Sequence, residues 1–257
     1  MGSSRGISLD IVSFGLTDIG KKRSSNQDAI YLNSKDHFYL LADGAGGYNG
    51  GDIASAMALE LIPEYFLGQS LDEGNVKHHL KESIKYANQS ILDEVEKRPE
   101  LEGMGTTVVG IYFYKDTLYI VNVGDSRLYL IQGGGIFQLT RDHSLVQEKI
   151  DLGIYTREEA ARDPMQNILV RIVGREDVSL ADVFSFKALP HHCFLLCSDG
   201  LHGELDDESI LALVSPHLTG DEKCTEAGLK KAGEVLVDRA NQKGGRDNIS
   251  VILSAVT

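Results

Sequence analysis

The chain has 257 residues, with 25 Lys+Arg against 38 Asp+Glu and a formal net charge of −13. It contains no basic stripe or Lys/Arg-rich run, so neither phosphate-backbone neutralisation nor a polybasic membrane patch can supply affinity, which argues against nucleic-acid and membrane partners. At 42% hydrophobic and 25% charged residues the composition is that of an ordinary folded protein, and with no linker, low-complexity tract or internal repeat a single domain over 1–257 is expected.

In chain order, DAIYLN (28–33) and HFYLLAD (37–43) read as strands, rich in β-branched and aromatic residues. DIASAMALELIPEYF follows Gly51 as a helix with Ile53, Met57, Leu61 and Ile62 on one face, and NVKHHLKESIKYANQSILDEVEKR (75–98) repeats that spacing with Val76, Leu80, Ile84, Ala87 and Ile91. Four strands come next: TTVVGIYFY (106–114), TLYIVNVGD (117–125), RLYLIQ (127–132) and IFQLT (136–140). Lys115-Asp116 and Gly133-Gly134-Gly135 are hairpin-length connections, and hairpins mean antiparallel neighbours, which excludes an all-parallel sheet. Short helices SLVQEKIDLG and TREEAARD stop at Gly153 and before Pro164. The strand CFLLCSD (193–199), the helices ESILALV and CTEAGLKKAGEVLVDRA, and the strand ISVILSAV (249–256) complete the chain. Antiparallel groups alternating with helical blocks indicate a layered α/β sandwich.

Cys193, Cys197 and Cys224 have no C-x-x-C spacing, so they read as small buried hydrophobes in a reducing compartment rather than as a disulfide framework or a zinc site. The first residues, MGSSRGISLDIVSFG, lack the apolar core of a signal peptide. No uncharged apolar run nears the ~20 residues of a membrane span. A cytoplasmic location is expected, and MGSS is either native or an expression remnant. A monomer is expected, because nothing suggests a large apolar seam.

The most informative feature is where four aspartates fall: Asp43, Asp125 and Asp199 end strands, and Asp247 stands just ahead of one. A single Asp-Gly after a strand is usually a turn. Four acids at the rim of an apolar core repel one another in a poorly solvated place, a cost that a cation removes. Oxygen-only ligation selects hard ions such as Mg²⁺ or Mn²⁺, and no H-E-x-x-H or H-x-H arrangement offers zinc a site. The loop GAGGYNGG after Asp43 fails as a dinucleotide fingerprint because Asn49 stands where the third glycine belongs, and no P-loop motif exists. Its glycines suit close backbone approach to an ion, with the Gly44 carbonyl available as a ligand. Arg23, in GKKRSSNQDA, precedes Asp28 by five residues. A surface Arg beside two Lys is most often only solvated, but next to a metal–carboxylate site it is the natural fork for a phosphate dianion. Metal-activated water with an Arg clamp describes phosphoester hydrolysis.

GKKRSSNQDA, LADGAGGYNGGDIAS, GMGTT, VNVGDSRLYL, LTRDHSLV, LLCSDGL and GGRDNISVIL follow one another along the chain. On these seven stretches, from Gly15 to Val256, the sequence resembles the bacterial type of metal-dependent serine/threonine protein phosphatase, the type 2C or PPM family. Each stretch alone is weak; seven in the family's order are highly specific. The resemblance implies an α+β fold, a four-layer αββα sandwich with two antiparallel sheets at the centre and helices on both outer faces. It implies two Mn²⁺ or Mg²⁺ ions held by Asp43, the Gly44 carbonyl, Asp199 and Asp247, and a weaker third held by Asp125 with Asp199. Asp28 would hold a water, Arg23 the phosphate, and 143–174 would form a flap. Phosphorylated proteins would be the substrates and a cognate serine/threonine kinase the opposing enzyme. Where many bacterial members have Met and His, this chain has Ala45 and Tyr48. The family's histidine has been considered as a proton donor, so Tyr48 stands open between donor and packing or contact residue; its reference pKa of ~10 suits a step near pH 7 poorly. Two rival readings are a catalytically weak phosphoprotein-binding module on the same fold and an ion-binding structural domain.

Overall fold

A computed structural model describes residues 9–45, 50–160, 162–176, 181–218 and 224–257. The elements in order are β1 (Ile11–Asp18), β2 (Asp28–Asn33), β3 (Phe38–Ala45), α1 (Gly51–Leu67), α2 (Val76–Lys97), β4 (Gly105–Thr106), β5 (Val108–Tyr114), β6 (Thr117–Val123), β7 (Arg127–Gln132), β8 (Gly135–Gln138), α3 (Leu145–Asp151), α4 (Arg157–Ala160), β9 (Asp182–Lys187), β10 (Cys193–Cys197), α5 (Asp199–His202), α6 (Asp207–Leu218), α7 (Glu226–Lys243) and β11 (Ile249–Val256). One sheet runs β1-β11-β10-β7-β8; the other runs β2-β3-β5-β6-β9, with β4 added at the end of β3. Every pairing within them is antiparallel.

The layering follows from strands that are apolar on both faces. In β3, Tyr39 and Leu41 point into the space between the sheets, where they meet Val109, Leu128, Phe194 and Ile252. Phe38, Leu40 and Ala42, on the opposite face, pack in a second core with residues of α1 and α2 such as Ile62, Phe66, Leu80 and Ile84. On the other sheet, Cys193, Leu195 and Cys197 face a third core with Leu229, Leu236 and Ala240 of α7 and Ile210 and Val214 of α6. Three cores separate four layers, the αββα sandwich implied by the resemblance. The three cysteines are free thiols.

Two hairpin turns need left-handed backbone, and both have it. Lys115 has φ 55°, while Gly133 and Gly134 have φ 58° and 78°, the signs of a tight turn whose twist matches the flanking strands. Gly135 itself already belongs to β8.

Four elements were not anticipated: β1, β4, β9 and α5. Strands β1 and β9 are the outer strands of their sheets, so they bury less and carry a weaker apolar signal; β4 and α5 are too short to show a period. The apolar face of α1 is also turned by about one residue from the expected one. Ala54, Ala58, Ile62 and Phe66 are fully buried, with Ile53, Met57 and Leu61 only flanking them. The alanines, which a hydrophobicity pattern undervalues, let the helix lie close on the sheet. In α2 the expected residues Val76, Leu80, Ile84, Ala87 and Ile91 are the buried ones.

Candidate active site

Carboxylates from both sheets meet at one end of the sandwich. Asp28 and Asp43 stand directly opposite each other in the β2–β3 register. Asp199 opens α5 immediately after β10, and Asp247 precedes β11. Ser198 joins the two sets: its Oγ donates to Asp28 Oδ2 at 2.8 Å and accepts the Ser250 N–H at 3.0 Å. Asp199 lies close enough to Asp43 to raise its carboxyl electrostatically. Asp125, in the β6–β7 loop, lies close enough to Asp199 for that carboxyl to raise it electrostatically. Asp43 lies within β3 rather than at its end, because β3 runs on to pair Gly44 with Thr106.

The electrostatics are those of acids held together against their repulsion. Burial first, and then the neighbouring Asp199 and Asp247, push the Asp28 carboxyl up to about 7, against the hydrogen bonds from Ser250 and Ser198. Burial and Asp247 push Asp199 up to about 6. Asp43 is raised well above the usual carboxylate range by burial and then Asp28 and Asp199, and Asp125 by burial and then Asp199 and Asp142. Asp28 Oδ1 and Asp199 Oδ1 are buried with no hydrogen-bond partner among the described residues. The cation at hand is Arg23, whose Nη2 lies 2.6 Å from Asp247 Oδ2 and whose side chain is 48% exposed.

A frame of neutral hydrogen bonds fixes these acids through their backbones. The Asp43 N–H donates to Thr107 Oγ1 at 3.0 Å, and its carbonyl accepts from Thr106 Oγ1 at 3.0 Å and the Thr107 N–H at 2.8 Å. Thr107 Oγ1 is in turn 2.8 Å from Ser126 Oγ, beside Asp125. Asn248 closes the loop that carries Arg23. Its Oδ1 accepts the Gln27 N–H, and its Nδ2 donates to the carbonyls of Ile19 and Ser25, all at 2.9 Å. His202 Nε2 donates to the Asp125 carbonyl at 3.1 Å, tying the Asp199 helix to the Asp125 loop. Burial lowers the His202 imidazole to about 3, so the ring is neutral. Arg127 forks onto Asp142, with Nε 3.0 and 3.1 Å from its two oxygens and Nη2 2.7 Å from Oδ2. Gly44 admits no side chain, since a Cβ there would lie 2.1 Å from the Gly51 carbonyl oxygen and 2.7 Å from that of Gln27. The N-terminus of α1 can thus close on the carboxylates.

Thr106, Thr107, Ser198, His202 and Asn248 were not singled out from the sequence. All five lie inside the quoted stretches or directly after one, so adjacency to the aspartates was the available signal. Tyr48 lies outside the described residues. Within segment 143–174 Ser144 bridges Leu169, and Thr106 bridges Val173 to tie the later end of the segment to β4. His143 accepts the Gly124 N–H at 3.1 Å and sits 3.2 Å from Asp182, which also takes Arg171 at 3.1 Å.

The donor set suits hard divalent cations. It consists of oxygen alone, two of those oxygens are buried and unpartnered, and burial and mutual repulsion raise the carboxyls. Among the described residues no three such side chains are closed up into a ready cage.

The family model described as protein phosphatase 2C matches residues 19–232. The chain belongs to the protein phosphatase 2C family. That makes it an enzyme of the serine/threonine phosphatase class. Among its relatives, the serine/threonine phosphatase stp of Listeria welshimeri is 34% identical over 242 residues, 92% of each chain. The Staphylococcus aureus serine/threonine phosphatase Stp1 superposes with a TM-score of 0.87 at 29% identity, covering 100% of this chain and 99% of that one. The catalytic domain of the serine/threonine phosphatase PstP, solved in complex with two manganese ions, gives a TM-score of 0.84 at 30% identity over 97% of this 2C-family chain and 100% of its own.

Proposed function

We propose that this 2C-family protein hydrolyses phosphoserine and phosphothreonine in proteins with two Mn²⁺ or Mg²⁺ ions, opposing serine/threonine kinases in the cytoplasm. The observation that carries the reading is the cluster of Asp28, Asp43, Asp199 and Asp247, drawn from both sheets and short of positive charge. Asp43, the Gly44 carbonyl, Asp199 and Asp247 would hold the two ions, and Asp125 with Asp199 a weaker third. When bound, such ions supply Lewis acidity and a water acidic enough to attack phosphorus near neutral pH.

The chain's own residues do the rest. Arg23, poised beside Asp247, forks onto the phosphate dianion once that carboxylate turns to other charge. Asp28, held through Ser198, accepts a hydrogen bond from the attacking water and orients it. The flap at 143–174, anchored by His143 and Arg171, borders the approach of the substrate protein.

The test is hydrolysis of a phosphothreonine peptide and of p-nitrophenyl phosphate with Mn²⁺, with and without chelator, by wild type and Asp199→Ala. Metal-dependent turnover that falls at least ~100-fold in the variant is expected. No metal-dependent turnover in the wild type would refute the proposal, and phosphopeptide binding without turnover would point to a binding module instead.

A further inference from the structure

Beside the carboxylates a groove opens that the phosphatase chemistry does not use. It is an open trough of about 810 Å³ whose lining includes Ala29, Tyr31, Leu59, Glu60, Pro63 and Glu64. One wall is β2, the last strand of its sheet, and among the described residues no strand pairs with its outer edge. The other wall is α1. Both walls start at the site: Ala29 follows Asp28, and Ser55 in the first turns of α1 donates to the Gln27 carbonyl at 2.6 Å. They also run the same way. Phe66, near the end of α1, packs on Phe38 with ring centroids 5.0 Å apart, and Phe38 is the partner of Asn33 at the far end of β2.

The charge of the groove is one-sided. Asp52, Ala56, Glu60 and Glu64 form an exposed ridge of α1 at four-residue spacing, and the helix contains no Lys or Arg. Among the described residues neither Glu60 nor Glu64 has an ion-pair partner. Like charges at i and i+4 destabilise a helix unless a cation lies between them.

We infer that this groove docks an extended segment of the substrate phosphoprotein bearing Lys or Arg. The inference rests on the phosphatase reading of the site. The free N–H and C=O groups of β2 can add a strand, whose alternate side chains enter the groove. Along α1, Glu60 lies about 12 Å and Glu64 about 18 Å beyond Asp52. At about 3.3 Å per extended residue this places the preferred cations roughly four to six residues from the phosphorylated one.

Two phosphothreonine peptides, with Lys or with Ala at those positions, test this against Mn²⁺-loaded wild type and the Glu60→Lys/Glu64→Lys variant, with p-nitrophenyl phosphate as the substrate that cannot reach the groove. The wild type should show the lower KM for the Lys peptide. The variant should raise that KM about 3- to 10-fold and leave the Ala peptide and p-nitrophenyl phosphate unchanged. Equal KM for both peptides in the wild type, or an unmoved KM in the variant while p-nitrophenyl phosphate is still hydrolysed, overturns the groove alone. Failure of the wild type on every substrate overturns the phosphatase reading beneath it. A wild-type dimer in sedimentation that the variant dissolves would assign the edge to a second copy of the chain and also overturn the inference.

Discussion

Replacing Asp28 with asparagine in the metal-free protein should change how stability depends on pH, by an amount the structure sets. The Asp28 carboxyl moves from 3.8 to about 7 on folding, chiefly because it is buried. A carboxyl with a raised folded pKa keeps its proton in the native state while the unfolded chain has lost it. Its contribution is therefore full at low pH and is lost as pH rises through the folded value. Between pH 5.5 and 8.0 the loss integrates to about 2 kcal/mol. The buried histidines titrate in the opposite sense across the same window, but they are common to both proteins and cancel in the difference. The amide oxygen of the introduced asparagine remains able to accept from Ser198, so the hydrogen bond at 2.8 Å need not be lost. Relief of Asp43, whose carboxyl Asp28 helps to raise, adds in the same direction. Urea unfolding with chelator at the two pH values should therefore show the variant gaining about 2 kcal/mol on the wild type as pH rises, or about 4–8 °C in Tm for a chain of this size. A difference between the two proteins that is the same at both pH values would refute the reasoning, because it would mean that Asp28 is ionised in both states.

Arg23→Ala should lower kcat/KM for a phosphothreonine peptide about 10- to 100-fold, the equivalent of one charge-assisted fork, without weakening Mn²⁺ binding by calorimetry, since Asp247 loses only a competitor. Asn248→Ala removes three hydrogen bonds that close loop 19–27 and should cost about 2–4 kcal/mol in urea unfolding; less than ~0.5 kcal/mol would mean that the loop is held elsewhere. His202→Ala should raise the Mn²⁺ concentration needed for half-maximal binding and activity about 3- to 10-fold, with His202→Gln, which can still donate to the Asp125 carbonyl, restoring most of it; equal behaviour of the two variants would show that the bond at 3.1 Å does not position Asp125.

What could be read from the sequence was whatever is written locally. The hairpins at Lys115 and Gly133, the buried stripe of α2 and the acids beside strands each need a window of only a few to twenty residues. The half-buried outer strands β1 and β9 escaped because burial on fewer sides leaves a weaker apolar pattern to count. The face of α1 was displaced because Ala54 and Ala58 pack by being small. At the site, the aspartates were legible but their supports were not. Ser198 reaches Asp28 across 170 residues of chain and Asn248 reaches Gln27 across 221, and no local pattern encodes such a distance. The pairing of Arg23 with Asp247 was likewise invisible, although each residue had been picked out for a separate role.

The supports explain how a cluster that opposes its own folding persists. The acids are fixed mainly through backbone atoms: Asp43 by register with Asp28 and by Thr106 and Thr107, Asp125 by its carbonyl on His202, and Asp247 by its neighbour Asn248, whose side chain anchors loop 19–27. Backbone atoms in a sheet cannot swing away as a surface side chain would, so the repulsion is not relaxed by movement. It is carried by the three apolar cores behind the site, whose burial supplies far more free energy than a few desolvated carboxyls consume. Only two changes then remain that ease the site, a proton or a cation. A group that binds the native state and not the unfolded chain stabilises it by mass action. Divalent ions should accordingly act on this protein as folding ligands, most strongly above pH 7, where protonation no longer serves.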